Sequence, residues 1–464
     1  LGVIHLTTND NEAKERRKMS LFDNQRLNQS VLRLDIEGLR RGEYTDRYFT
    51  NVVQVLGGLA REVYHYSGTN PRQFANAKNA HTGDAFVEAQ IFNRRAPIAF
   101  VAGVDVALAM LRHATGSYDA NDHFIETWQN LEVVAVQDGD LTYYDGNVEQ
   151  VLTVIEMRGR YRDFAVLETP MLGVLSRASR IATNVYEVLQ VCNGKQVSYF
   201  PARFDVPEVQ ALDGYAYWLA VQRYNQENHR QLRPSVSTPA QARYWGGKAS
   251  GTIPHALIAC FLADETETMI HFARQMPIET PRILLADFNN DIVRSSLQVL
   301  AKFWEYYRTA YDVRDETAMR QWTLNGVRLD TSANMRDDAL KEGDPKGVSP
   351  LLVRTVRTAL NNAWASWGVP KHLEDVAREY CRQVQIVVTG GFNREKIELF
   401  ERARTPVDVY GVGSSFLSNY KDTNTDFTMD IVRLKLNEQW HDVAKVGRKP
   451  SDNPDLKTVD LSVF

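Results

Sequence analysis

Residues 385–414 read QIVVTGGFNREKIELFERARTPVDVYGVGS. A short apolar run, QIVV, ends at two adjacent glycines, Gly390 and Gly391. The stretch NREKIELFERAR follows with apolar residues at helical spacing, and a second run, VDVY, ends at Gly411 and Gly413. Run, glycine loop, amphipathic helix and run make one parallel β–α–β unit. The same rhythm extends back to about Arg162. Short runs at FAVLET (164–169), QVSYF (196–200), ASGTI (249–253), RILLAD (282–287) and GVRLD (326–330) alternate with longer helical patterns such as LGVLSRASRIATNVYEVLQV and NDIVRSSLQVLAKFWEYY. No GxGxxG follows the first run, which favours an α/β fold built as a parallel (β/α) barrel over a doubly wound sheet.

The rest of the chain is organised around that barrel, expected at 161–425. Residues 1–30 are a polar extension. Residues 31–160 read as a smaller α/β domain, with a helix at Thr50 to Tyr64 and strands in LEVVAVQDGD, LTYYDG and VEQVLTVIEM. Residues 426–464 hold strand-like DIVRLKL but no core of their own, and are expected to pack back on the N-terminal domain. With 464 residues and 44% apolar content the chain can bury a large core. A net charge of −4 and the lack of a Lys/Arg block argue against a nucleic-acid partner. Cys192, Cys260 and Cys381 show no CxxC spacing, so neither a disulfide framework nor a structural zinc site is expected. The longest apolar stretch, Pro97 to Leu111, contains Asp105 and is too short for a bilayer. Asn9 to Lys18 is polar and charged, unlike a signal peptide, so a cytoplasmic enzyme or binding protein is expected.

In a parallel barrel, functional groups sit where strands end. Those positions hold Glu168, Arg203, His255, Asp287, Arg328 with Asp330, and the two glycine pairs. The glycines either close tight turns or let backbone N–H groups cradle a phosphate at the N-termini of following helices. His255, before a helix expected at Ala256 to Ala263, is either a satisfied structural histidine or a base or nucleophile. Arg328 and Asp330 share one strand face. They form a structural ion pair, or the acid orients His255 or holds Mg²⁺ against a pyrophosphate together with Asp287.

LETPMLGVLSRASRIATN, GTIPHALI, RILLADF, VRLDTS, VTGGFN, VYGVGSS and DFTMDIV occur in the order and approximate spacing of the nicotinate phosphoribosyltransferase family, and GEYTDRYF resembles that family's N-terminal motif. The resemblance covers about residues 40–450. It implies an incomplete barrel of the type II phosphoribosyltransferase kind, working as a homodimer with shared active sites. It further implies ATP-coupled joining of nicotinate to 5-phosphoribosyl pyrophosphate. By the same carry-over, His255 is the histidine phosphorylated by ATP, and Asp287, Asp330 and Arg328 are catalytic, the two acids also facing Mg²⁺. Tyr48 stacks on the pyridine ring from the partner subunit. Gly390, Gly391, Gly411, Gly413 and Ser414 hold the 5′-phosphate, and Thr252 and Ser332 join the substrate contacts. Two departures concern the substrate. ATNVYEV offers Tyr186 and Glu187 where many relatives carry an arginine, and PARFDVPE replaces a Gly-x-Arg-Arg, keeping Arg203 and adding Asp205. A substrate carboxylate needs a cationic partner, and Arg177, Arg180 and Arg203 are the candidates. Nicotinamide or another pyridine as substrate, and a non-catalytic paralogue that binds phosphoribosyl ligands, are the competing readings.

Overall fold

A computed structural model of the chain describes residues 21–22, 25–420 and 423–464. Most of the expected polar extension, residues 1–20, therefore lies outside the described residues. The elements that position the site are α1 (Arg47–Arg61), β1 (Phe86–Asn93), α2 (Val104–Ala114), β2 (Glu132–Ala135), β3 (Thr153–Arg160), α3 (Glu168–Val191), β4 (Gln196–Tyr199), α4 (Gln210–Asn228), α5 (His255–Cys260), α6 (Glu265–Gln275), β5 (Ile283–Leu285), α7 (Ile292–Asp312), β6 (Gly326–Leu329), α8 (Pro350–Asn362), α9 (Glu374–Arg382), β7 (Gln385–Val388), α10 (Arg394–Arg402), β8 (Val409–Val412), β9 (Phe427–Leu436), β10 (Gln439–Asp442) and β11 (Lys457–Thr458).

The parallel sheet runs β4-β8-β7-β6-β5. Single parallel bridges, Tyr199 to Val236 and Val236 to Ala249, extend it beyond β4. No pairing closes the arc between Ala249 and β5 among the described residues, so the barrel is incomplete. Its strands are short and mostly buried, as expected where helices cover one face and the barrel interior the other. Four of the barrel helices start on local side-chain caps. Asp264, Asp291, Ser349 and Asn393 each accept a backbone N–H from the first turn of α6, α7, α8 and α10.

A second, antiparallel sheet runs β10-β9-β1-β3-β2-β11, so the last forty residues add three strands to the N-terminal sheet. Behind it lies α2, nearly all of whose residues are buried. The helix α3 joins the two cores. Met171 and Leu175 pack into the antiparallel-sheet core, whereas Ala178, Ile181, Ala182 and Val185 pack into the barrel core.

Three expectations need correction. FAVLET is not a strand: Ala165–Leu167 is a 3-10 turn running into α3, with Phe164, Ala165 and Leu167 fully buried. A buried helix start and a buried strand share the same short apolar run, so pattern alone cannot separate them. ASGTI pairs only through Ala249, and the helix after it is shorter than expected, ending at Cys260. A strand position at Val236, flanked by serines, has no apolar run to mark it.

Candidate active site

The ends of β4, β6, β7 and β8 surround a cavity of 580 Å³. Ten of the expected site residues line it: Thr252, His255, Arg328, Asp330, Arg203, Ser414 and the four glycines. His255 begins α5, directly after Pro254. Its Nε2 stands 3.1 Å from Asp287 Oδ1, with the ring half exposed and the carboxylate mostly buried. Burial pushes the Asp287 carboxyl above the usual range. His255 opposes that rise, and the Asp330 charge adds to it.

Asp330 accepts a hydrogen bond from Thr389 Oγ1 at 2.7 Å, tying the end of β6 to β7. Arg328 donates from Nη2 to the Ile253 carbonyl at 3.2 Å. Its burial disfavours the charged form, and Asp330 and Asp287 counter that. Two buried polar atoms of cavity-lining residues, Arg328 Nε and Thr252 Oγ1, have no partner among the described residues. Buried polar atoms are seldom left unpaired, so a polar ligand is the natural partner for these.

The glycine pairs differ. Gly390 (φ 91°) and Gly391 (φ 64°) adopt left-handed backbone, and α10 follows them with its Asn393 cap. At Gly411 and Gly413 the constraint is close approach. A Cβ on Gly411 would lie 2.7 Å from the Phe200 ring, and one on Gly413 would lie 2.9 Å from the Phe204 ring. The second loop enters a short 3-10 turn, Ser414–Leu417, not the helix expected after it. One of the two anticipated helix N-termini is therefore missing.

The three candidate arginines separate clearly. Arg177 is held by Asp213, at 2.7 and 2.9 Å, and by Asp205, at 2.7 Å, and does not line the cavity. Arg180 is half-buried, with Nε unpartnered among the described residues, and does not line it either. Arg203 lines the cavity and has no hydrogen bond or ion pair among the described residues; its guanidinium lies 5.4 Å from the Phe204 ring centre. Of the two residues noted as departures, Tyr186 bonds Glu227 and Glu187 pairs with Arg95. Tyr48 sits on α1, 59% exposed, with its hydroxyl donating to Asp46, and Ser332 is exposed on the loop after β6. Neither lines the cavity of its own chain. Glu168, at the start of α3, has its carboxyl raised to about 8 by burial, then by Asp430 and Asp46.

Sequence reasoning missed two sets of lining residues. Phe200 immediately follows β4, so its place at a strand end is the sequence signal for it, carried by an aromatic instead of a polar residue. Ser198, Ser235 and Ser250 form a hydroxyl row, with Oγ–Oγ separations of 3.2 and 3.0 Å. Its central member sits beside Val236, which pairs only through single bridges, so no apolar run in the sequence marks it.

Among the described residues no group of three or more His, Cys, Asp or Glu could cage a metal. Asp287 and Asp330, hard oxygen donors ending neighbouring strands, suit instead a Mg²⁺ held by one or two carboxylates and completed by substrate phosphates. No described helix is long and apolar enough to cross a membrane.

Residues 75–179 match the family model described as quinolinate phosphoribosyl transferase, N-terminal domain. No curated protein matches the chain. Among solved structures, the nicotinate-nucleotide pyrophosphorylase of Pyrococcus furiosus is similar at 23% identity and a TM-score of 0.58, over 91% of this chain and 81% of that one. Human nicotinic acid phosphoribosyltransferase is similar at 15% identity and a TM-score of 0.48, over 84% and 75%. With its parallel barrel, its antiparallel N-terminal sheet and the likeness to the Pyrococcus furiosus structure, the chain has the type II phosphoribosyltransferase fold.

Proposed function

We propose that the cavity transfers the 5-phosphoribosyl group from 5-phosphoribosyl pyrophosphate to a pyridine carboxylate, nicotinate foremost, with ATP coupled through a phosphohistidine at His255. The observation that carries this reading is the convergence of His255, Arg328, Asp330 and both glycine loops on one cavity, with Asp287 holding His255 from beside it and an unpaired arginine at its wall. In the transfer, the pyridine nitrogen lone pair forms a bond to the anomeric carbon as the C–O bond to pyrophosphate breaks. The leaving group takes the electron pair, and positive charge builds on the ribose. Asp330 stabilises that charge, Arg328 faces the pyrophosphate, and the Gly390–Gly391 amides hold the 5′-phosphate. Mg²⁺, when bound with the pyrophosphate, neutralises charge on the leaving group. Asp287 orients the imidazole through Nε2, leaving the other ring nitrogen to attack the γ-phosphorus of ATP and displace ADP.

Arg203 supplies the cation for the substrate carboxylate, and Phe200 a ring surface for the pyridine. Tyr48 reaches a site from a second copy. In support, only Phe49 of the fifteen residues of α1 is buried, and Tyr44, Tyr48 and Val55 are each about half exposed or more. A dicarboxylate, quinolinate, is the second reading, favoured by the family match over 75–179. Mononucleotide formation from nicotinate, quinolinate and nicotinamide, with and without ATP, tests both. Nicotinate should be preferred and stimulated by ATP. Preference for quinolinate without ATP stimulation would select the second reading, and preference for nicotinamide would refute both.

A further inference from the structure

Arg177 joins three segments that are distant in sequence. From α3 it reaches Asp213 on α4 through Nε and Nη2, and through the same Nη2 it reaches Asp205. Asp213 is nearly buried, so that arm of the contact belongs to the packed interior. Asp205 lies on the connection after β4, where Arg203 to Glu208 are all exposed. Few contacts anchor this connection. Phe204 N–H bonds the Pro201 carbonyl, Gln210 Nε2 reaches the Ala202 carbonyl at 3.3 Å, and the Phe204 ring rests against Gly413. The 2.7 Å bond from Arg177 to Asp205 is its strongest tie to the rest of the fold.

We infer that Arg177 is a positioning residue that latches Asp205 and so fixes Arg203 at the cavity wall for recognition of the substrate carboxylate. This rests on the proposed pyridine-carboxylate reaction. Two effects follow from the geometry. The latch limits how far the 202–206 segment can swing, so Arg203 waits in its binding position and less ordering remains to be done when substrate arrives. It also occupies the Asp205 carboxylate. That anion is two residues from Arg203, and unlatched it would compete with the substrate for the guanidinium; Asp205→Asn removes the anion as well, so that variant reads the first effect alone.

The test uses Asp205→Asn and Asp205→Glu in the full chain, leaving the Arg177–Asp213 pair in place so that the fold is kept. Hydrogen exchange of the peptide spanning 200–209 reports the latch without any assay of activity. Steady-state kinetics report its consequence. In Asp205→Asn, exchange should quicken and the KM for nicotinate should rise, each about fivefold, the scale of a partly exposed ion pair. The kcat and the KM for 5-phosphoribosyl pyrophosphate should stay within about twofold. Asp205→Glu, whose carboxylate still reaches Arg177, should stay near wild type in both. Unchanged exchange in Asp205→Asn would overturn the latch. Quickened exchange with an unchanged or lower KM for nicotinate would overturn its role in recognition. Should the wild type use no pyridine carboxylate at all, the proposed reaction fails and so does the recognition role, while the exchange result still decides whether the latch exists.

Discussion

His255 and Asp287 face each other at the barrel mouth, Nε2 to Oδ1 at 3.1 Å, one from the first residue of α5 and the other from the loop after β5. The contact joins a half-exposed ring to a mostly buried acid whose proton affinity burial has raised. A histidine so held keeps one nitrogen fixed and presents the other. His255→Ala should abolish ATP hydrolysis and the stimulation of transfer by ATP. Asp287→Asn should reduce that stimulation by about 10²-fold, the lower end for a positioned acid–base group. Coupled ATPase and mononucleotide assays check both, and undiminished stimulation in His255→Ala would remove the phosphohistidine.

Arg203 is the unpaired arginine of the cavity wall. Arg203→Ala should raise the KM for a pyridine carboxylate by about 10- to 100-fold, as expected for a lost charged hydrogen bond. Arg203→Lys should recover only part of this, because an ammonium cannot grip a carboxylate bidentately. Nicotinamide, without the charge, should be far less sensitive. Equal losses for both bases would argue against the assignment.

Gly390 has left-handed backbone, yet a Cβ there would meet Asp330 Oδ1 at an ordinary 3.4 Å. The cost of Gly390→Ala is therefore conformational, about 1–2 kcal/mol. Chemical denaturation should show that loss. The KM for 5-phosphoribosyl pyrophosphate should rise as the amides turn away from the 5′-phosphate.

Glu168 gives a pH signature. Its carboxyl is raised from an ordinary 4.5 to about 8, first by burial and then by Asp430 and Asp46. The folded state therefore favours the protonated acid. Stability falls as pH rises from about 4.5 to about 8, and the penalty is constant above that range. Glu168→Gln should melt higher than wild type at pH 8–9 and show the smallest gain near pH 4.5. Thermal melts at the two pH values decide it, and an equal difference at both would contradict the shift.

Much of this site was legible in the sequence because a short run followed by glycine or a charged residue is a local signal. Asp330, Arg328 and the Gly390 loop carry that signal. FAVLET failed for a physical reason: Phe164 and Leu167 are buried at a helix start, which needs the same residues as a buried strand. Arg177 and Arg203 could not be told apart in advance, since the difference is whether Asp205 and Asp213 arrive from elsewhere in the fold. The ring contacts at Gly411 and Gly413 were hidden likewise, because their partners, Phe200 and Phe204, lie some two hundred residues away.

The most direct measurement is product formation by the purified wild-type chain given nicotinate, 5-phosphoribosyl pyrophosphate, Mg²⁺ and ATP. The account expects nicotinate mononucleotide and pyrophosphate in equal amounts, at a rate that falls when ATP is withheld. No mononucleotide from nicotinate, and none when quinolinate replaces it, would contradict the account at its centre.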